Sequence, residues 1–427
     1  MKRIPAAVAL LAAVALPAST ATAAPPVQQE TSPIPALTRA AYPLASTEPS
    51  GHAWDLRALT RMVGTAKIVG VGEATHSSHE FFTLKHRIFQ TLVEQKGFSA
   101  FVLEASWSTG LELDRYVVTG VGDPREIMRR EFQDAYKFWN TQEYLDLIEW
   151  MRDYNRTHTR KLRFVGDDVG YASPALIDRV ATTDPRLTRL YAGIRSNAEY
   201  KDWSTTYFAK PLSERRAIEA STRQALELVQ QTEDRWRAQH ARAIWQTAKL
   251  YSFDVQDPNE LPKAMLFRDQ AMADNTAWWT RTTGDKAVLS AHNGHVGYDS
   301  SMPSQYPRIQ GAFLRDQLGK DYVNVGFTFD SGSFNANDTD DPQGLLRTFT
   351  ISSAPAGNNE YTLDRVPYRD YLVDLRTLPR QTRDWLDVAR PTRDIGTAYP
   401  WPDLPVNLGK SYDVLIHLHQ ITAAKLR

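Results

Sequence analysis

Apolar residues along this chain fall into short unbroken runs, separated by stretches in which they recur every three to four positions. The runs at 67–72, 100–104, 162–166, 287–291, 322–329 and 412–417 carry β-branched or aromatic residues and predict strands. Apart from 322–329, where Asn324 and Thr328 fall between apolar residues, they do not alternate with polar residues, so these strands are expected to be covered on both faces, the pattern of a parallel sheet. Between the first two runs, Phe81, Leu84, Ile88 and Leu92 stand at helical spacing within 78–96. Leu145, Ile148 and Met151 repeat that pattern within 142–154. Ser77, followed three residues later by Glu80, fits a capping box opening the first of these helices. From about 174 to 281 no convincing strand occurs, and polar-rich helical segments carry Trp203, Trp236, Trp245, Trp278 and Trp279. Residues 330–344, rich in Asp, Ser, Gly and Asn, read as a loop ahead of a less regular C-terminal part. The predicted fold is α/β: a mostly parallel central sheet flanked by helices, with a helical subdomain inserted at about 174–281.

The N-terminus departs from this pattern. Lys2 and Arg3 precede an apolar run at 6–16, then Pro17 and the small residues Ala21, Thr22 and Ala23. That is the layout of a cleavable signal peptide over 1–23. The run falls short of the roughly 20 residues that span a bilayer, so export without stable membrane insertion is expected. A flexible Pro- and Thr-containing arm is expected at 24–50, and the folded domain at 51–427.

Composition narrows the functional classes. The chain has 427 residues, 42% hydrophobic and 23% charged, enough for a full core. Lys plus Arg and Asp plus Glu number 50 each, and no basic tract follows a phosphate backbone, so nucleic acid is not an expected partner. With no cysteine, thiol nucleophiles, disulfides and Cys-ligated zinc are excluded.

The candidate chemistry lies where the strands end. The first run ends in Glu73 with His76 beyond it, the second in Glu104, the third in Asp167 and Asp168, the fourth in His292 and His295. Parallel strands share one carboxyl edge, so these groups are expected to converge there. Half of the ten histidines fall within 76–86 and 292–295. Charges set against apolar strands cost several kcal/mol unless paired, which argues against a merely solvated surface.

GEATH at 72–76, the helical stretch at 81–98, FVLEASW at 101–107, RDQAMADN at 268–275, AHNGH at 291–295 and YDVLIH at 412–417 together resemble the erythromycin esterase family. The resemblance runs from about residue 50 to the C-terminus. It implies that Glu73 and His76 are the acid and histidine of the family's GExxH, and that Glu104 is its strand-end Glu. His292 and His295 match its late histidines, and Lys85 stands where an Arg is usual. Ser77 stands where a Gly is common. The implied activity is hydrolysis of a small-molecule ester, the family substrate being a macrolide macrolactone.

The chemistry can also be argued from the residues. Direct water attack on an ester needs a base, a donor for the developing oxyanion and an acid for the leaving alkoxide. His76 is assigned as the base, with Glu73 or Glu104 holding its tautomer; His292, His295 and Lys85 are candidates to polarise the carbonyl and protonate the leaving oxygen. His79 and His86 are expected to support from the helix face, and Asp167 and Asp168 to line the site. SWSTG at 106–110 lacks the first Gly of a nucleophile elbow, which disfavours Ser108 as nucleophile. HExxH fails because residue 83 is Thr. No cofactor is expected. The alternatives are a divalent metal held by the histidines with Glu73 and Glu104, making a metal-dependent hydrolase, and a non-catalytic metal- or ligand-binding envelope protein.

Overall fold

The computed structural model describes residues 32–49, 53–182, 184–195 and 203–427. The expected signal peptide and the start of the arm lie outside the described residues. Strands, in chain order, are β1 (Tyr42–Pro43), β2 (Ile68–Val71), β3 (Ala100–Ser106), β4 (Arg163–Asp168), β5 (Ala287–Ser290), β6 (Tyr322–Asp338), β7 (Leu346–Ile351), β8 (Asp370–Asp374), β9 (Arg390–Thr392), β10 (Ala398–Tyr399), β11 (Leu404–Val406) and β12 (Val414–Ile421).

Eight strands run across one sheet in the order β1-β8-β12-β6-β2-β5-β3-β4, with β7 and β10 added to the outer half of β6. The stretch from β12 to β4 is parallel throughout. β8, β1 and β7 join antiparallel. Every residue of β2, β3 and β5 is buried, the physical origin of their unbroken apolar runs. The fold is thus α/β with a mostly parallel sheet.

Strand order differs from chain order in one respect that matters. β5, which leaves the long helical stretch, enters between β2 and β3. The ends of β2, β5, β3 and β4 therefore stand side by side, and at such an edge an α/β sheet binds its ligands.

Between β4 and β5 the described elements are all helices, among them Leu212–Gln230, Arg235–Tyr251 and Leu261–Thr283. Trp203 and Trp279 are buried there, whereas Trp236 is exposed. Two glycines let the helix Trp107–Thr119 press on β4. A Cβ at Gly110 would fall 2.0 Å from the Gly166 nitrogen, and one at Gly166 2.1 Å from the Ser106 carbonyl oxygen. Among the described residues no helix is long and apolar enough to cross a membrane.

Three expectations need correction. Residues 330–344 are not a loop throughout: β6 continues to Asp338 and pairs with β7. Ser, Gly, Asn and Asp disfavour strands, but here their polar groups find distant partners; Asn335 donates to Ser77 Oγ at 3.1 Å and to the Ala424 carbonyl at 2.9 Å. The arm expected at 24–50 is packed over its described residues, 32–49. Its helix Ile34–Ala40 buries Leu37, β1 pairs with β8, and Glu48 reaches His79 at 3.0 Å. The capping box is absent as well. The helix His79–Lys96 is capped by Ser78 without a side-chain bond, while Glu80 accepts from the Thr422 nitrogen at 2.6 Å and its hydroxyl at 2.8 Å, tying the helix to the end of the chain.

Candidate active site

The end of β2 is built by close packing. A Cβ at Gly72 would fall 2.2 Å from Asn293 Oδ1. The bare backbone admits the Asn293 amide, which donates to the Phe327 carbonyl at 2.8 Å and accepts from the Phe327 nitrogen at 3.0 Å. Asn293 thereby acts as one rung of sheet between the end of β5 and β6. Its own nitrogen donates to the Glu73 carbonyl at 2.9 Å, so the turns after β2 and β5 are locked together.

Glu73 is fully buried and His76 nearly so. Glu73 Oε1 lies 2.8 Å from His76 Nδ1, and Glu73 Oε2 accepts from Lys85. Lys85, itself 1% exposed, also donates to Ser290 Oγ at 3.1 Å and to the Ala291 carbonyl at 3.3 Å. Burial alone would raise the Glu73 carboxyl, but the Lys85 ammonium and His76 outweigh it and hold the group below the usual carboxylate range. An ionised Glu73 fixes the proton of His76 on Nδ1 and leaves Nε2 as the lone pair toward the cleft.

A second cluster stands across the cleft. Glu104 Oε1 accepts from Arg268 Nη2 at 2.9 Å and lies 3.2 Å from His295 Nε2, while Oε2 accepts from the His292 nitrogen at 3.0 Å. Arg268 grips Asp168 through Nε at 3.0 Å and Nη2 at 2.6 Å, and Tyr136 donates to the same carboxylate at 2.7 Å. His295 Nδ1 is 2.7 Å from Asp269 Oδ1. Although burial works against it, Asp269 and Glu104 push His295 up to about 10, and its Nε2 also lies 3.2 Å from Arg268 Nη1. Glu104 is correspondingly held well below the usual carboxylate range: burial is outweighed by His295, His76 and Arg268. His292 differs. Its Nδ1 accepts from the Gly294 nitrogen at 3.1 Å, which leaves its proton on Nε2. Burial pulls it below the ordinary histidine value, with Asp394 opposing. The His76 and His292 rings stand 4.9 Å apart.

Of the predicted residues, His76, Glu104, His292 and His295 line one cleft with Asp168. Glu73 and Lys85 lie beneath His76, outside the lining, so Lys85 is placed to charge-balance Glu73 rather than to touch a carbonyl. Glu73, not Glu104, holds the His76 ring. Asp167 is buried behind the cleft, accepting from Thr276 at 2.8 Å and Gln310 at 2.6 Å; burial, and Asp168 beside it, keep it well above the usual carboxylate range. His79 faces Glu143 and Glu48 away from the cleft, and is raised to about 9 chiefly by the bond to Glu143. His86 packs on Trp150, and burial depresses it to about 3. Ser108 sits buried in a helix, its hydroxyl donating to the Tyr171 carbonyl at 3.2 Å. The sequence reading missed Arg268, Asp269 and Asp394 as site residues. The first two sit on the helix Leu261–Thr283, where charges buried among apolar neighbours were the available signal; Asp394 had none.

Among the described residues, the predicted metal donors are partly engaged, and the Nε2 atoms of His76 and His292 are the ones left toward the cleft. Glu73 takes His76 Nδ1, Asp269 takes His295 Nδ1 while the Nε2 of that ring meets Arg268, Gly294 takes His292 Nδ1, and His79 faces Glu143 and Glu48. Asp330, Asp364 and His419 bring ligand atoms within 4.8 Å of one another, away from this cleft lining. Within the cleft Tyr136, Phe208, Leu250, Tyr251, Val255 and Trp401 form an apolar wall.

The profile of the family described as erythromycin esterase matches residues 93–421. Erythromycin esterase type II of Escherichia coli is 23% identical over 387 residues, covering 80% of this chain and 90% of its own length. Among solved structures, a Bacillus cereus protein has a TM-score of 0.82 at 29% identity, over 92% of this chain and 98% of its own. A mutant of the erythromycin esterase EreC in its open conformation shares the fold, with a TM-score of 0.65 at 18% identity over 89% of this chain and 97% of its own.

Proposed function

The chain belongs to the erythromycin esterase family, and from that premise we propose that it is an exported hydrolase that cleaves a carboxylic ester with water activated at His76. The carrying observation is the buried line from Lys85 through Glu73 to His76, which leaves one imidazole nitrogen toward the cleft. In the proposed reaction His76 Nε2 takes a proton from water as the water oxygen bonds to the carbonyl carbon. The carbonyl π pair moves onto oxygen, where the Nε2–H of His292 meets the developing charge. Collapse expels the alkoxide, which takes the proton from His76. Glu73 stabilises the imidazolium between these steps, as a buried carboxylate does for a histidine base.

His295, Arg268, Glu104 and Asp168 form a fixed charge network that holds the His292 turn rather than exchanging protons. The apolar wall favours a large, weakly polar substrate, and a macrolide macrolactone is the proposed first substrate. Export rests on the signal-peptide pattern of residues 1–23. The test is a hydrolysis screen over macrolides and generic esters, with His76→Ala as control. Turnover is expected to fall by about 10²–10⁴-fold in that variant while the circular dichroism spectrum stays unchanged. Equal turnover in the two proteins would refute the assignment. Chelator treatment should leave the rate unaltered; loss restored by one added metal would exclude a metal-free mechanism.

A further inference from the structure

Asp394 reaches the cleft on a short loop clamped to the turn after β2. The Ile395 nitrogen donates to the Ala74 carbonyl at 2.8 Å, and the His76 nitrogen donates to the Gly396 carbonyl at 3.1 Å. Thr75 and Gly396 form a parallel bridge. Gly396 has φ of 63°, a conformation that disfavours side chains, and even a Cβ there would stand 3.7 Å from His292 Nε2 and 3.8 Å from His76 Cδ2. A larger side chain at this position would grow into the space between the two imidazoles. The loop thus delivers a carboxylate to that space while keeping the space open.

The carboxylate is close to His292 without an aligned hydrogen bond. Asp394 Oδ1 lies 3.2 Å from His292 Nε2, yet neither atom has an aligned hydrogen bond to any described group, and both are buried. The other oxygen, Oδ2, accepts only a long 3.5 Å bond from Ser301. A buried polar atom without a partner is costly, and two at the wall of a cleft mark the place where polar reactants complete them.

We propose that Asp394 is a further catalytic residue, whose Oδ1 orients the attacking water. This rests on the hydrolase reading above. The water gives one hydrogen to His76 Nε2 and points the other at Asp394 Oδ1, an orientation that aims an oxygen lone pair at the ester carbon. Asp394 accepts a hydrogen bond and no proton, so its own protonation is the same before and after the step. His292 Nε2–H is thereby left for the carbonyl oxygen.

The experiment compares wild type, Asp394→Asn and Asp394→Glu on the best ester from the screen, with melting temperature recorded for each. Asp394→Asn keeps the shape and removes the charge. It is expected to lower kcat about 100-fold with KM changed less than threefold and melting unaltered, and Asp394→Glu should recover part of kcat. Wild-type kcat in Asp394→Asn overturns the proposal while the hydrolase reading stands. So does a loss confined to KM, or one that follows a matching loss of folded protein in both variants. An inactive wild type on every ester fails the hydrolase reading, and this inference with it.

Discussion

Glu73 is the residue on which site chemistry and stability meet. It is wholly buried, and its two oxygens divide between the His76 ring and the Lys85 ammonium. Removing one member of a buried ion pair leaves the other uncompensated, which costs about 3–5 kcal/mol. Glu73→Gln and Lys85→Met are each expected to destabilise by about that much, and the double variant by less than the sum, because the charge left behind in each single variant is gone. Urea unfolding of the four proteins checks this; additive losses would show that the two groups are not coupled. Turnover separates the roles further. Glu73→Gln should lower kcat about 100-fold through the lost tautomer of His76, while the rate need not return in the double variant. The residue types at the strand ends were readable in the sequence, but their pairings were not. Glu73 and Glu104 were equivalent candidates to hold His76, and the choice depends on which carboxylate the sheet sets behind the ring.

At the level of elements, the site is held by contacts between turns rather than by any single strand. Asn293 joins the end of β5 to β6, and the missing side chain of Gly72 makes room for it. Asn293→Ala is expected to cost about 1–3 kcal/mol for the orphaned Phe327 backbone groups, and to lower kcat because the His292 turn loses its anchor. Thermal melting together with kinetics reads both effects; an unchanged kcat would mean that Glu104, through the His292 nitrogen, suffices. The same length scale separates what the pattern revealed from what it hid. β2, β3 and β5 were legible because both faces of each are buried, so polar residues come only toward their C-terminal ends. The outer half of β6 was not, because its serines and asparagines are satisfied by residues from distant parts of the chain. β1 escaped for a related reason: two residues at a sheet edge leave no periodicity to read.

For the whole molecule, the pairing of distant charged groups predicts how stability follows pH. His79 and His295 have folded values of about 9 and about 10 against 6.5 for an ordinary histidine. A raised value means that the folded protein binds the proton more tightly than the unfolded chain. The contribution is therefore complete below about pH 6.5 and is lost as pH rises through 9 to 10. Melting temperature should fall across that window, and His79→Gln should flatten the part near pH 9; an equal slope in the variant would remove His79 from the account. Because Glu48 and β1 belong to the segment before residue 50, deleting residues 1–49 should lower the melting temperature and weaken the same step. The sequence by itself determined the alternation of strands and helices, the near-continuous burial of the central strands, and the presence of His and Glu at their ends, since periodicity records which local faces leave water. Only the tertiary structure decided that β5 enters between β2 and β3, that Arg268 meets Glu104 across 164 positions, and that Asp394 faces His292. Those outcomes follow from strand order and from the need of each buried charge to find a partner, and neither leaves a periodic trace in the local sequence.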